Sequence, residues 1–222
     1  MAKFYLVATP IGNLEDISLR ALRILKEVNV VLTEKTLITR RLFERYKINT
    51  PLRVLHEHSS PEVFDAIIDT LKEGRDMALV SEAGTPGIAD PGGKLVEYIF
   101  SKLEDRVEII PIPGSSALTT LASISGFNMN RFLFLGFLPK KKGRRKFLKL
   151  IEESIFSVIV YESVYRIEKF LQELQELDIT EIVVGRELTK KFETIYRGTP
   201  EDVLDQLSKG TKKGEFVVAI KK

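Results

Sequence analysis

The chain has 222 residues, 34 Lys and Arg against 31 Asp and Glu, a formal net charge of +3, and 44% hydrophobic residues. That composition carries enough apolar surface to bury a core and excludes an intrinsically disordered chain. The sequence contains no cysteine, which excludes disulfides, thiolate metal sites and cysteine nucleophiles. No apolar run approaches the ~18 residues that span a bilayer, so no membrane partner is expected.

The first apolar run predicts a strand over 4–9, closed by Pro10 and Gly12. It is too short for the apolar stretch of a signal peptide, and a cytoplasmic protein is the expectation. Leu19, Leu22 and Leu25 at helical spacing, behind Ser18 as N-cap, predict a helix over 18–27. A buried-type strand over 28–32, a helix over 36–46 and a short strand over 52–55 follow. Val63, Phe64, Ile67, Ile68 and Leu71 make one face of a helix over 61–73, which Gly74 stops. A strand over 77–81 runs into a glycine- and proline-rich loop over 82–93, a helix to about residue 101, and a strand over 107–112. Continuous apolar strands separated by helices argue for a mostly parallel sheet covered on both faces.

Pro111-Ile112-Pro113-Gly114 marks the expected boundary between a domain over 1–113 and a second over 114–222. The second half reads as a helix over 115–125, a strand over 132–136, a helix to about 154, a strand over 156–161 and a helix over 164–177. Strands over 182–186 and 192–196, a helix over 200–207 and a closing strand over 215–220 complete it. The fold class is α/β, in two α/β domains, and a ligand cleft between them is the default expectation.

The segment Ser81–Gly93 is the least ordinary in the chain, with four glycines and two prolines in thirteen residues directly after a buried strand. Connecting loops in α/β units are usually 2–6 residues, and ordering this one costs conformational entropy. Its exposed backbone N–H and C=O groups suit a polar zwitterion or a nucleoside. Ala8–Asn13 also follows a strand, where ligand crevices form, but it lacks the G-x-G-x-x-G of a dinucleotide site. Ser115 and Ser116 are placed to cap a helix or to meet an anion there. His56-Glu57-His58 offers no third ligand nearby, so no metal site is expected. From Arg131 to Leu150 no acidic residue occurs while Lys140, Lys141, Lys142, Arg144, Arg145, Lys146 and Lys149 do, a local field that attracts a polyanion.

Taken in order, Ala8–Asn13, His56-Glu57-His58, Ser81–Gly93, Pro111–Ala117, Phe134–Pro139, Tyr161–Arg166, Arg186–Thr194 and Gly214–Phe216 resemble the tetrapyrrole methylase superfamily. They are most similar to its ribosomal branch, the small-subunit rRNA (cytidine-2′-O)-methyltransferases. The resemblance implies two α/β domains with S-adenosyl-L-methionine in the cleft between them, a small-subunit rRNA or ribosomal-subunit partner, and a homodimer. On the matching motifs it implies cofactor contacts from Pro10, Ile11, Gly12, Gly84, Thr85, Ile88, Ala89, Asp90, Pro113, Ser115, Ser116 and Tyr161. It places Arg186, Glu187 and Lys190 on the substrate side, with Arg186 touching RNA beside Lys140, Lys141, Lys142, Arg144, Arg145 and Lys146. Glu187 and Glu162 become candidate proton acceptors from a ribose hydroxyl, and Lys190 a phosphate anchor or desolvated base.

The chain departs from the branch at three places. Glu34-Lys35-Thr36-Leu37 stands for Glu-Asp-Thr-Arg, Glu82 stands for an Asp, and Glu162-Ser163-Val164-Tyr165-Arg166 stands for Glu-Ser-Pro-His-Arg. Two other functions stay open on the same residues: an RNA-binding or assembly protein without catalysis, motivated by Lys35 and Leu37, and methylation of a tetrapyrrole ring.

Overall fold

The computed structural model describes residues 1–56, 59–210 and 213–222, and the chain divides into two compact units, 1–116 and 117–222. The division falls slightly beyond the expected boundary because Ser115 stays tied to the first unit. Its hydroxyl donates to the Asp16 carbonyl and its carbonyl accepts from the Thr85 hydroxyl, both at 3.2 Å.

In the first unit β1 (Ala2–Val7), β2 (Val30–Thr33), β3 (Leu52–Val54), β4 (Met77–Val80) and β5 (Val107–Ile112) form one sheet in the order β3-β2-β4-β1-β5. Every pair is parallel. The connecting helices are α1 (Leu19–Glu27), α2 (Thr36–Tyr46), α3 (Pro61–Lys72) and α4 (Gly92–Leu103). Successive strand residues point to opposite faces. Tyr5, Val7, Ala78 and Val80 pack with α1 and α2 through Ile24, Leu25, Leu42 and Phe43. Phe4, Met77 and Leu79 pack on the other face with Ile67, Ile68, Leu95 and Ile99 of α3 and α4. Both faces are covered, so these strands read as unbroken apolar runs. Ser18 caps α1 as its position predicts, its hydroxyl accepting from the Ala21 amide at 3.0 Å.

The second unit contains α5 (Ala117–Ser125), β6 (Phe132–Phe137), α6 (Arg144–Glu153), β7 (Ser157–Ser163), α7 (Ile167–Glu176), β8 (Ile182–Arg186), β9 (Thr194–Gly198), α8 (Pro200–Ser208) and β10 (Glu215–Ile220). Its sheet has the order β6-β7-β10-β8-β9, with β6 and β7 parallel and the remaining pairs antiparallel. A direct loop joins β8 to β9, whereas β9 and β10, each antiparallel to the β8 between them, run parallel and are joined through α8. Val158, Val160, Val184 and Val218 face α6, α7 and α8. The opposite face meets α5, where an ideal Cβ on Gly185 would lie 3.0 Å from Leu121 Cδ1. Among the described residues no helix is long and apolar enough to cross a membrane.

Candidate functional site

A parallel sheet sends the carboxyl ends of its strands to one edge, where open α/β sheets bind ligands. Because β4, β1 and β5 lie side by side, the segments that follow them converge at that edge of the first unit. Thr9 and Gly84 exchange backbone hydrogen bonds of 2.9 and 3.0 Å, and the Ala8 amide donates to the Ile112 carbonyl at 3.1 Å. Below them the Thr9 hydroxyl donates to the Ser81 carbonyl at 3.3 Å, and the Ser81 hydroxyl to the Gly84 carbonyl at 3.0 Å. Gly84 sits at φ +84°, in the left-handed region, and a Cβ there would stand 3.4 Å from Ile11 Cγ2. The product is a floor made of backbone from 8–12, 84–87 and 113–115.

Asp90 organises the rest of the long loop. Its Oδ1 accepts from the Gly87 amide at 2.6 Å and the Gly92 amide at 2.8 Å, folding the segment back on itself at the start of α4. Ala89 is held at φ +60°, uncommon for a residue with a side chain, so the fold of the loop over-determines it. An ideal Cβ at Gly92 would lie 2.9 Å from the Gly87 nitrogen and 3.0 Å from Asp90 Oδ1, so only glycine fits.

Next to this loop Glu34, His56, Ser81, Pro86 and Asp90 line a concavity. Burial pushes the Glu34 carboxyl above its ordinary value, and the Glu82 and Asp90 carboxylates push it further. Lys35 meets Glu82 at 2.7 Å, so two of the family departures are partners of each other. Among the described residues no group of three or more His, Cys, Asp or Glu side chains is placed to hold a metal ion; Glu57 and His58 lie outside the described residues.

In the second unit, strand parity decides the fate of Glu162. It shares a face with Val158 and Val160, so it points into the core beneath α6 and α7, and it is 1% exposed. Its Oε1 accepts from the Ser163 amide and pairs with Arg166 Nη2, both at 2.8 Å, while Oε2 lies 3.7 Å from Arg144 Nη2 without a hydrogen bond. Desolvation raises its pKa, opposed by the Ser163 amide and both guanidinium groups. Arg144 is buried as well. Its Nε and Nη2 reach the Glu173 carboxylate at 2.9 and 2.6 Å, Nη1 reaches the Pro139 carbonyl at 3.1 Å, and its guanidinium carbon lies 5.8 Å from the Phe170 ring centroid.

Glu187 sits at φ +51° directly after β8. Its Oε1 accepts from Lys190 Nζ and from the Glu215 amide, both at 2.9 Å, and Lys190 also meets Glu215 Oε2 at 2.8 Å. Burial pushes the Glu187 carboxyl up, but the Lys190 and Glu215 donors outweigh it and hold it below its ordinary value. Burial likewise lowers Lys190, and its two carboxylate partners outweigh that and raise it. Arg186 is buried and spends its guanidinium on backbone, donating to the Lys213 carbonyl at 2.7 Å and the Phe192 carbonyl at 3.1 Å.

The family model described as tetrapyrrole (corrin/porphyrin) methylases matches residues 3–204. The chain belongs to the tetrapyrrole methylase family. It is 44% identical over 216 residues to the ribosomal RNA small subunit methyltransferase I of Leptospira biflexa, covering 96% of this chain and 88% of that protein. A cobalt precorrin-4 methyltransferase shares the fold at a TM-score of 0.72 and 20% identity, covering 98% of this chain and 94% of that one. So does a uroporphyrin-III C-methyltransferase from Thermus thermophilus complexed with S-adenyl homocysteine, at a TM-score of 0.63 and 19% identity, covering 98% and 97%.

Within this methylase, the structure gathers Pro10, Ile11, Gly12, Gly84, Thr85, Pro113, Ser115 and Ser116 at one edge of the first sheet, with Ile88 exposed further along the loop. Four of the expected site residues are engaged by groups of the protein itself. Asp90 Oδ1 accepts from two amides of its own loop, so its side chain shapes that loop. Arg144 is a buried ion-pair partner of Glu173. Arg186 is buried, and its Nε and Nη1 hold backbone carbonyls. Glu162 is buried beside the Arg144 and Arg166 guanidinium groups. Tyr161, on the opposite strand face, accepts from the Leu118 amide at 3.1 Å and so fixes the first turn of α5. Lys140, Lys141, Lys142, Arg145 and Lys146 are exposed. Thr9 lies within the Ala8–Asn13 segment that the sequence points to, whereas Glu173 has no sequence signal short of knowing that α7 faces α6.

Proposed function

We propose that the chain is an S-adenosylmethionine-dependent methyltransferase that modifies small-subunit ribosomal RNA at the 2′-oxygen of a cytidine ribose. The observation that carries the reading is the backbone floor at the carboxyl edge of β4, β1 and β5, in a chain whose relatives are named for methylation of that RNA. The floor fits the cofactor chemically. Gly84 adds no side chain and the Thr85 hydroxyl is turned to the Ser115 carbonyl, so main-chain N–H and C=O groups at 8–12, 84–87 and 113–115 would meet the adenosine and the amino-acid end. Bound there, S-adenosylmethionine supplies an electrophilic methyl group, which leaves the protein mainly positioning and desolvation to provide.

The second unit supplies the acceptor side. Lys140, Lys141, Lys142, Arg145 and Lys146 offer cations to phosphates. Lys190, with its raised pKa, stays an ammonium, which suits charge stabilisation near a phosphate and not proton abstraction. Glu187 fixes Lys190 and the start of β10. In this reading the enzyme works as a homodimer, which sedimentation velocity checks.

The test is incubation of purified small ribosomal subunits with methyl-labelled S-adenosylmethionine, followed by mapping of the modified nucleotide. Label on a ribose oxygen of one cytidine is expected. Label on a base, or none in the presence of bound RNA, refutes the assignment.

A further inference from the structure

We propose that the edge of the second sheet where β6 and β7 end is a stacking platform for unpaired RNA nucleotides, with Tyr165, Phe192 and Phe137 taking bases and the Lys140–Lys146 segment taking phosphates. This rests on the RNA-directed reading above and names its binding mode. Three independent features meet there.

The first is topology. β6 and β7 are parallel and register Phe137 with Tyr161, so both strands end at the same edge. β10 begins there, Glu215 pairing with Ser163, and β8 ends there, Arg186 pairing with Phe216. The basic segment, the turn carrying Tyr165 and the loop carrying Phe192 therefore leave one sheet edge together. The second is exposure. Tyr165 is 93% exposed, Phe192 67% and Phe137 54%, which leaves three large rings uncovered on one edge. The third is rigidity beneath the rings. Arg166 Nη1 donates to the Leu138 carbonyl at 2.7 Å and fastens the Tyr165 turn to the segment after β6. Arg186 grips the Phe192 carbonyl at 3.1 Å. The backbone under each ring is set before a ligand arrives, which lowers the ordering cost of binding.

The charge selects the occupant. No acidic residue lies between 131 and 150, and Lys191 Nζ stands 5.5 Å from the Phe192 ring centroid, a further cation beside an aromatic face. Aromatic rings among exposed cations match single-stranded nucleic acid, where every base offers a π-face and every linkage a charge.

The chain contains no tryptophan, so Tyr165→Trp and Phe192→Trp each create a lone fluorescent reporter at the platform, and Phe156→Trp creates one at the opposite end of β7. The probes are an unstructured pyrimidine oligoribonucleotide and inorganic polyphosphate, a polyanion without bases. The oligonucleotide is expected to quench the first two reporters and not the third, while polyphosphate competes for binding without quenching. Tyr165→Ala and Phe192→Ala are each expected to weaken oligonucleotide binding by about fivefold to a hundredfold, and Tyr165→Phe to restore it. Salt-sensitive RNA binding with neither reporter quenched and both alanine variants unchanged overturns the platform and leaves the RNA reading standing. Capture of the oligonucleotide by none of the variants or the parent chain overturns both. Platform reporters quenched by RNA in a protein that transfers no methyl group would refute the proposed reaction alone.

Discussion

Replacing Arg144 by alanine strands two carboxylates inside the second unit. Glu173 loses hydrogen bonds of 2.6 and 2.9 Å, Glu162 loses the cation 3.7 Å from its Oε2, and the Pro139 carbonyl loses a donor. Removing one partner of a buried ion pair costs about 3–5 kcal/mol, because the remaining charge is left without compensation. A domain's whole stability is about 5–15 kcal/mol, so the variant unit should be marginal. With a urea slope near 1 kcal/mol per molar, the unfolding midpoint should fall by about 3–5 M. Lys141→Ala and Arg145→Ala, at exposed neighbours, should stay within about 0.5 kcal/mol of the parent. The pH dependence follows from the same burial. Without Arg144 the Glu162 carboxyl, already raised by desolvation, rises further, so the variant's folded state holds more protons than the parent's. Its stability deficit therefore grows as pH rises through that range and narrows in acid. Urea titrations of the three variants between about pH 4 and 8 measure this. An Arg144→Ala protein within about 1 kcal/mol of the parent, combined with an RNA affinity loss equal to that of Lys141→Ala, would refute the assignment of Arg144 to the interior.

Gly92→Ala drives a methyl into the Gly87 nitrogen and the Asp90 carboxylate, and Asp90→Ala removes the acceptor of both amides. Each should weaken S-adenosylmethionine by roughly tenfold to a hundredfold, the worth of one or two charge-assisted hydrogen bonds, read as a smaller ligand-induced rise in unfolding temperature. Glu187→Gln should flatten the acid limb of stability. The Glu187 carboxyl is held below its ordinary value, so its contribution is present above the unfolded pKa and lost as pH falls through the folded one, and urea midpoints against pH show the difference. Replacing Lys141 and Lys142 together should weaken RNA binding at all sequences and lower the slope of log affinity against log salt by about 1 per lost phosphate contact.

The parallel sheet of the first unit was legible because burial on both faces leaves each strand apolar throughout, and Met77–Val80 is buried at every position. The loop over 81–93 was legible because only a ligand or a strained turn calls for so many glycines and prolines in one stretch. The reversed strands of the second unit were less so. Ile182–Arg186 and Glu215–Ile220 are also apolar runs, and apolarity does not report direction. Charged site residues were the least legible. Glu162 follows Tyr161 in sequence and the two point to opposite faces, so a motif that reads as one wall is in fact a core anchor and a helix clamp. Arg144 sits within a basic run, and nothing in that run marks it as the member that turns inward toward Glu173. Arg145 and Lys146 follow it in α6 and are exposed, so the inward turn is set by helix facing and not by composition. The partners that fix Asp90 and Arg186 are mainly backbone groups of their own or neighbouring loops, and peptide groups leave no signature in a sequence.

The account depends most on the backbone floor after β1, β4 and β5. Isothermal titration of the full chain with S-adenosylmethionine, repeated with the demethylated product, tests it most directly. Saturable binding of both at one site per chain, weakened about tenfold to a hundredfold in Gly92→Ala, is the predicted result. Absence of heat and of thermal stabilisation with either compound in the folded parent protein would contradict it.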